Sequence, residues 1–471
     1  MKQHLVGGQW TDATRGEAVT APYTGEVLGE VALASPDQLE AAISAAHRAA
    51  PTAAALPTWR RIEILRAIAA GLEARAEALA TTISQEAAKP IDYARGEVGR
   101  AVQTFGFAAD ELVAQRGDVL PLDAAPKGEG KWGLTRRFPV GPILAITPFN
   151  FPLNLAAHKV APAIAAGCPV VLKPANKTPL TALMLAEAVL ESGWPPEALS
   201  VMNVAVDDAE ALVRDDRFRA LSFTGSDAVG WHIKRLAGRK PCLLELGGDA
   251  AVIVAEDATD LDAIAARVAF GAFAYAGQVC ISVQRVLVHA RHHEAFLAAL
   301  TRATTETVRV GAPDQTGVMM SCLIDDRAAA KVGRILQETV TAGATVHTGG
   351  QSEGRRFEPT VLSGVPDGCP MDTEEVFGPV VHVAPFATVS EALARVNRSR
   401  FGLQAGIFTD RLATATRAFE NLEVGAVTVN EVPTFRVDHM PYGGVKDSGL
   451  GREGLRHAFE AFTEPRLLVL P

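Results

Sequence analysis

From Pro142 to Glu245 the chain repeats one pattern: a short apolar run, a polar or glycine-containing turn, then a stretch with helical spacing. The runs are Ile143-Leu144-Ala145-Ile146, Pro169-Val170-Val171-Leu172, Ser200-Val201-Met202-Asn203-Val204, Ala220-Leu221-Ser222-Phe223 and Cys242-Leu243-Leu244-Glu245. Near-continuous apolar runs, without a polar residue at every second position, are expected of parallel strands covered on both faces by helices. After Gly247-Gly248 a second rhythm begins, with strands expected at Ala251–Val254, Arg285–Val288, Val380–Val383 and Ala426–Val429. The pattern predicts two α/β domains, each built on a parallel sheet, with a small-molecule site in the cleft between them.

The flanking segments read differently. Residues 1–34 alternate short apolar runs with turn residues and suit a small β-region in which no chemistry is visible. Ser35-Pro36-Asp37-Gln38 supplies an N-cap, a proline at the first helical position and a glutamine three residues on, so a helix is predicted from Pro36. Long amphipathic helices follow to about Gln115, and in the last of them Glu97 and Arg100 are spaced for a solvated salt bridge. Val119–Leu122 and Trp132–Phe138 read as a β-hairpin around Lys127-Gly128-Glu129-Gly130. The final Arg466–Leu470 run is expected to pair with it and to form a subunit interface.

Phe138 to Ala157 carries no charge and is long enough to span a bilayer, but Pro139, Pro142, Pro148 and Pro152 exclude one continuous helix, and a buried strand followed by a helix start is expected instead. At 471 residues, with 48% hydrophobic and a formal charge of -9, the chain suits two or three packed domains. No block of like charges suggests a nucleic-acid partner. The five cysteines are scattered and form no CxxC pair, so neither a disulfide framework nor a metal site is expected. Met1–Gly8 has no apolar signal-peptide core, and a cytoplasmic protein without membrane partner is expected.

Cys280 stands out because Gly277-Gln278-Val279 precedes it in an apolar neighbourhood, although a lone cysteine is usually a small hydrophobe. Six motifs occur around it in a fixed order: Pro148-Phe149-Asn150-Phe151-Pro152, Leu172-Lys173-Pro174-Ala175, Ser222-Phe223-Thr224-Gly225-Ser226, Leu244-Glu245-Leu246-Gly247-Gly248, Gly277–Cys280 and Glu374-Glu375-Val376-Phe377-Gly378-Pro379. With these the chain resembles the NAD(P)-dependent aldehyde dehydrogenase superfamily over nearly its whole length, and within it a bacterial and archaeal branch near the lactaldehyde dehydrogenase-like and non-phosphorylating glyceraldehyde-3-phosphate dehydrogenase-like members. The resemblance implies two Rossmann-type domains plus a small β oligomerisation element. It divides the chain into a cofactor-binding domain at 1–117 and 139–246, a catalytic domain at 247–450, and the oligomerisation element at 118–138 and 451–471, in a homodimer or homotetramer.

The resemblance also implies roles. Cys280 attacks the aldehyde, Asn150 and the Cys280 amide hold the resulting oxyanion, and Glu245 activates water against the thioester. The cofactor is expected against Ile146, Thr147 and Pro148, with Lys173, Asn176 and Lys177 at its adenosine end, Gly225, Ser226 and Val229 at the pyrophosphate, and Leu246, Glu375 and Phe377 near the nicotinamide. Asn176 stands where NAD-preferring relatives often carry Glu, so with no carboxylate to repel a 2′-phosphate, NADP is expected to be accepted. Phe151, Leu155 and His158 follow Asn150 at helical spacing and can face one substrate tunnel. Arg100, Val279, Ile281 and Tyr442 are expected to complete it, with 431–440 as its outer wall. Arg100 without an arginine at Val279 suits a small hydroxylated or anionic aldehyde better than a sugar phosphate. A CoA-acylating dehydrogenase, against which Glu245 argues, and a redox-silent cysteine esterase are the alternatives. Asp249 follows Gly247-Gly248 where many relatives carry Lys or Asn, with an effect that the sequence leaves open.

Overall fold

The computed structural model describes all residues, 1–471. The helix expected at Pro36 runs Pro36–Ala55, closed by a capping box in which Ser35 Oγ accepts from the Gln38 amide and the Gln38 side chain accepts from Ser35 N. Thr58–Ala74, Ala76–Ala87 and Ile91–Ala114 follow as helices, and their apolar faces, including Ile68, Leu72, Ile83 and Phe105, enter the largest core.

Five parallel strands, in the order Leu199–Val201, Val170–Lys173, Ile143–Ile146, Ala220–Thr224 and Cys242–Glu245, form the centre of the first sheet. Ile143 and Ala145 enter the core on one face, and Leu144 and Ile146 the core on the other, which is why the run is apolar at every position. The segment from Phe138 contains this central strand and then the helix Asn154–Ala166. At one edge His4–Val6 pairs antiparallel with Leu199–Val201, so the N-terminal β-region extends this sheet. At the other edge Gly449–Leu450 pairs with Cys242–Glu245. The helix Leu455–Ala461 then buries Leu455, Ala458 and Phe459 in the first core, so the chain returns to that layer before the last strand begins.

The second sheet has seven strands in the order Thr345–Thr348, Thr360–Ser363, Val380–Phe386, Arg285–His289, Ala251–Val254, Gln404–Phe408 and Ala426–Val429, all parallel except the first. Gln404–Phe408 and Thr360–Ser363 carry too few apolar residues to stand out in the sequence, yet both lie between other strands. The expected pairing of the chain end is present: Thr463–Leu470 runs antiparallel to Trp132–Pro139 along its whole length, and Val119–Leu120 lies on the other side. Two turns of 3-10 helix, Leu122–Ala124 and Pro126–Gly128, replace a tight hairpin turn. Leu467, Leu468 and Val469 leave about half of their surface exposed on this small sheet. No helix is long and apolar enough to cross a membrane.

Candidate active site

The carboxyl ends of Ile143–Ile146, Ala220–Thr224 and Cys242–Glu245 meet the second domain around a cavity of about 340 Å³. Asn150 reaches it from the loop between the central strand and the helix Asn154–Ala166. Glu97 anchors that loop: its Oε1 accepts from the amides of Leu153 at 2.9 Å and Asn154 at 3.1 Å, and its Oε2 pairs with Lys89. Both side chains of the Glu97–Lys89 pair are fully buried, and Lys89 Nζ lies 3.5 Å from the centroid of the Phe151 ring. The solvated Glu97–Arg100 bridge is therefore corrected. This helix face packs inward, and Glu97 finds a buried lysine and a helix N-terminus in place of Arg100.

Cys280 is positioned by a strained turn. After the helix Leu261–Phe273, three consecutive residues, Tyr275, Ala276 and Gly277, take left-handed φ values of 53°, 54° and 68°. A side chain at 277 would place its Cβ 2.3 Å from the Gly378 carbonyl oxygen, so only glycine fits there. Tyr275 N donates to Met319 O at 2.9 Å and its hydroxyl donates to Ala87 O at 3.0 Å, which holds the turn from both sides. Asn150 Nδ2 donates to Gln278 O at 2.9 Å. This bond fixes the amide plane two residues from Cys280 and leaves the second N–H of the amide free. Cys280 is partly accessible; burial pushes its thiol up to about 11, with Tyr442 and Arg436 opposing the rise.

Glu245 is 3% exposed, and neither carboxylate oxygen has a hydrogen-bond partner. Burial, then the neighbouring Glu453 charge, holds its proton on to well above the usual carboxylate range. Burial alone would do the same to Glu453, but Lys159, His158 and Arg436 outweigh it and lower this group instead. Lys159 Nζ donates to Glu453 Oε1 at 2.8 Å, Thr224 Oγ1 at 2.8 Å and Ser222 Oγ at 3.0 Å. Two carboxyl groups with different environments thus lie side by side, one biased to hold a proton and one to release it.

Of the residues expected at a cofactor, Pro148, Gly225, Ser226, Leu246, Glu375 and Phe377 line this cavity. Of those expected at a substrate, Arg100, Phe151, Leu155, Val279, Ile281 and Tyr442 do so. Ile146 and Thr147 are buried at the strand end, and Thr147 Oγ1 has no partner. Glu375 Oε1 accepts from Gly248 N at 2.9 Å, while burial pushes its carboxyl up to about 7. Asp249, open in the sequence, is buried and accepts from Ser399 Oγ at 2.7 Å and Arg285 Nη2 at 3.2 Å. Because Arg285 Nε also donates to the Asp249 carbonyl, the pair pins the backbone next to the Glu375 contact.

Lys173 and Asn176 form a separate polar cluster, with Lys173 Nζ donating to Asn176 Oδ1 at 2.9 Å. Asn176 Nδ2 in turn donates to Glu17 Oε2 at 2.8 Å, and burial brings Lys173 down to about 8 with Glu17 opposing. A carboxylate therefore does stand beside Asn176, contrary to the expectation from the local sequence. It comes from the N-terminal strand Gly16–Thr20, in a region expected to carry no chemistry. Lys177 is exposed with Nζ 3.7 Å from Asp325, and Val229 is 47% exposed on the helix Asp227–Leu236. These surroundings fit a dinucleotide: Thr147 Oγ1 is orphaned, and Ser226 makes no side-chain cap on the helix Asp227–Leu236, whose first amides remain available to an anion.

His158 does not line the cavity and that expectation is corrected; it is buried, with Nε2 2.8 Å from Asp438 Oδ1. Asp438 also accepts from Asn154 Nδ2 at 3.0 Å and, through both oxygens, from Arg100 at 2.7 and 3.1 Å. Burial would raise this carboxyl, but the bonds from His158 and Arg100 outweigh it and hold it far below the usual range.

Four functional candidates escaped the sequence reading: Arg436, Asp438, Lys159 and Glu453. Arg436 lines the cavity with only 7% of its side chain exposed, and its Nε has no partner. A usable signal existed for Lys159, since His158-Lys159 interrupts a helix that is otherwise uncharged and buried at all thirteen positions. Arg436 and Asp438 carried a weaker one, as lone charges in a segment read only as a wall.

The profile of the aldehyde dehydrogenase family matches residues 10–468. The 3-sulfolactaldehyde dehydrogenase of Priestia aryabhattai is 39% identical over 466 residues, covering 99% of this chain and 97% of that protein. The lactaldehyde dehydrogenase of Methanococcus aeolicus is 35% identical over 99% of both chains. Among solved structures, aldehyde dehydrogenase 21 from Physcomitrella patens in complex with the reaction product succinate superposes with a TM-score of 0.97 at 40% identity, covering 100% of this chain and 98% of that one. The NADP-dependent glyceraldehyde-3-phosphate dehydrogenase from Bacillus halodurans complexed with NADP also has a TM-score of 0.97, at 33% identity and with coverage of 100% and 99%.

Proposed function

The chain belongs to the aldehyde dehydrogenase family and is an NAD(P)-dependent enzyme that oxidises an aldehyde, and from that premise we propose that Cys280, Asn150 and Glu245 carry the reaction. The observation that supports this most is their convergence on one cavity from three separate segments of the chain. Cys280 as thiolate adds to the aldehyde carbon, forming a C–S bond while the carbonyl π pair moves to oxygen. The free N–H of Asn150 and the backbone N–H of Cys280 receive that oxyanion. Bound NAD(P) supplies the acceptor for the hydride that leaves the same carbon. Glu245 then takes a proton from water, the water oxygen attacks the thioester on Cys280, and the C–S bond breaks to return the thiolate and the acid. Glu245 does this only when ionised; Lys159 and Arg436 favour that form against burial.

Thr147 and Glu375 would hold the nicotinamide half of the cofactor, the helix start at Ser226 its pyrophosphate and Lys173 the adenosine half. NADP is accepted as well as NAD, with Glu17 rather than residue 176 limiting the 2′-phosphate. The substrate is a small aldehyde with an anionic group at its far end. Arg436 and Arg100 face the cavity, and the relatives named for 3-sulfolactaldehyde and crystallised with succinate handle compounds of that kind. Subunits assemble through the exposed strand Thr463–Leu470 into at least a dimer, and the absence of cysteine pairing suits the cytoplasm.

The test is the initial rate of NADH and NADPH formation over neutral, hydroxylated, carboxylated and sulfonated aldehydes of matched length. The carboxylated and sulfonated members are expected to give a kcat/KM at least about tenfold above the neutral ones, the worth of one charged hydrogen bond. Cys280→Ala is expected to give no reduced cofactor with any of them. A Cys280→Ala enzyme that keeps its rate would remove the nucleophile assignment, and a preference for neutral aldehydes would remove the substrate class.

A further inference from the structure

One polar group in the cavity has no part in the reaction as derived. The hydroxyl of Tyr442 lies 2.8 Å from Cys280 Sγ, and that sulfur is its only hydrogen-bond partner. We propose that Tyr442 is a catalytic residue whose phenol O–H holds the Cys280 sulfur in its ionised form before attack and again when the C–S bond of the thioester breaks. This rests on Cys280 being the nucleophile.

The placement is too constrained to be incidental. Tyr442 is 3% exposed, and its backbone is locked to Glu453 by Tyr442 N donating to Glu453 O at 3.0 Å and Glu453 N donating back at 2.6 Å. Its ring packs with Ile281 and Leu403 in a small apolar cluster that a phenylalanine would fill equally well. The hydroxyl is thus the part of the residue that packing does not explain. On the ring lies the guanidinium of Arg436, with Cζ 3.6 Å from the centroid. A cation over the face draws density from the ring and makes the O–H a stronger donor.

In the thiol state either atom of the Cys280–Tyr442 pair can donate, but a thiolate sulfur can only accept. Tyr442 then has to be the donor, and it keeps its proton because burial and the Cys280 and Glu245 charges hold the phenol well above its ordinary range. The charged groups that bear on Cys280 are Arg436, which favours thiolate, and Glu375 and Glu245, which oppose it. Ionisation sends the thiol proton to solvent water. When the thiolate adds to the aldehyde, the negative charge passes from sulfur to the carbonyl oxygen, and the stabilising task passes from Tyr442 to Asn150. During hydrolysis the electron pair of the C–S bond returns to sulfur, where the Tyr442 O–H receives it while Glu245 takes the proton of the attacking water. One donor therefore serves the sulfur at both ends of the cycle.

The test is the second-order rate of Cys280 alkylation by iodoacetamide in the enzyme without cofactor, measured from pH 6 to 9 and located by peptide mass spectrometry. Below the titration midpoint this rate follows the thiolate fraction. Tyr442→Phe keeps the ring and the Arg436 stack and removes only the hydroxyl. It is expected to slow alkylation by about 10–100-fold at every pH, the worth of one hydrogen bond to a charged group. It should lower kcat/KM by a similar factor with KM nearly unchanged. Placing 3-fluorotyrosine at 442, which changes no packing and makes the phenol a better donor, is expected to accelerate alkylation. If Tyr442→Phe fails to fold, the fluorinated enzyme decides alone. Alkylation rates that stay within about twofold of the parent in the variants that fold would overturn the proposal. That outcome is distinct from failure of the parent reading, which would show as activity surviving in Cys280→Ala.

Discussion

Arg100 and Arg436 both face the cavity, yet they do not offer the same charge. Arg100 gives two donors to Asp438, whereas Arg436 is only loosely paired, with Nη2 3.4 Å from Glu453 and an unpartnered Nε. Arg436→Met is therefore expected to lower kcat/KM for an anionic aldehyde by about 10–100-fold, and Arg100→Met by less, with neutral aldehydes less affected by either. Steady-state kinetics on matched substrates checks this, and a larger loss at Arg100 would reverse the assignment. Asp438 makes the contrast. The fold holds its carboxyl below the unfolded value of about 3.9, so the stability it contributes is complete above that pH and is lost as pH falls from there towards the lower folded value. Asp438→Asn should cost about 3–5 kcal/mol near neutrality, because Arg100 and His158 lose their shared buried negative charge and Arg100 Nε meets an amide NH2 in place of an acceptor, and it should flatten the fall of stability in acid. Urea unfolding at pH 7 and at pH 3 measures both. That Cys280, Asn150 and Glu245 meet at one cavity was legible in the sequence through the family motifs that surround them. Arg436 and Asp438 were not, since their partners lie in other segments and only the fold brings His158, Arg100 and Glu453 to them.

At the scale of elements, apolar runs located the five parallel strands of the first sheet, because two buried faces leave few polar positions to confuse the pattern. His4–Val6, which pairs on both sides in the same sheet, was read only as part of a separate β-region. The pattern is silent where a strand is buried but not apolar in composition: Gln404–Phe408 is buried at all five positions and begins Gln-Ala-Gly. The turn before Cys280 was legible only in Gly277, although Tyr275 and Ala276 share its left-handed conformation. That strain is sustained by contacts from Ala87 and Met319, which no local reading contains. The last strand shows the converse. Its pairing with Trp132–Pro139 was legible from two short apolar runs that needed a partner, and its exposed Leu467, Leu468 and Val469 are what a further subunit would cover. Leu468→Glu is expected to reduce the assembly to a smaller species by light scattering while leaving the secondary structure intact. An unchanged mass would place the interface elsewhere.

For the whole molecule, side chains from distant segments hold the site together, within the first domain as well as between the two. Glu17 crosses from the N-terminal hairpin to Asn176, and Glu97 joins the helices to the Asn150 loop. Glu17→Gln removes the carboxylate beside Lys173 and Asn176 and is expected to raise kcat/KM for NADP relative to NAD by several-fold, whereas an unchanged ratio would show that the 2′-phosphate lies away from Glu17. The central claim is a division of labour between Cys280, which forms the thioester, and Glu245, which releases it. Rapid-mixing measurement of reduced cofactor in Glu245→Gln tests it most directly. A burst approaching one equivalent per active site followed by a stall is predicted, with the acyl group found on Cys280 by mass spectrometry. A steady rate equal to that of the parent, without a burst, would contradict it.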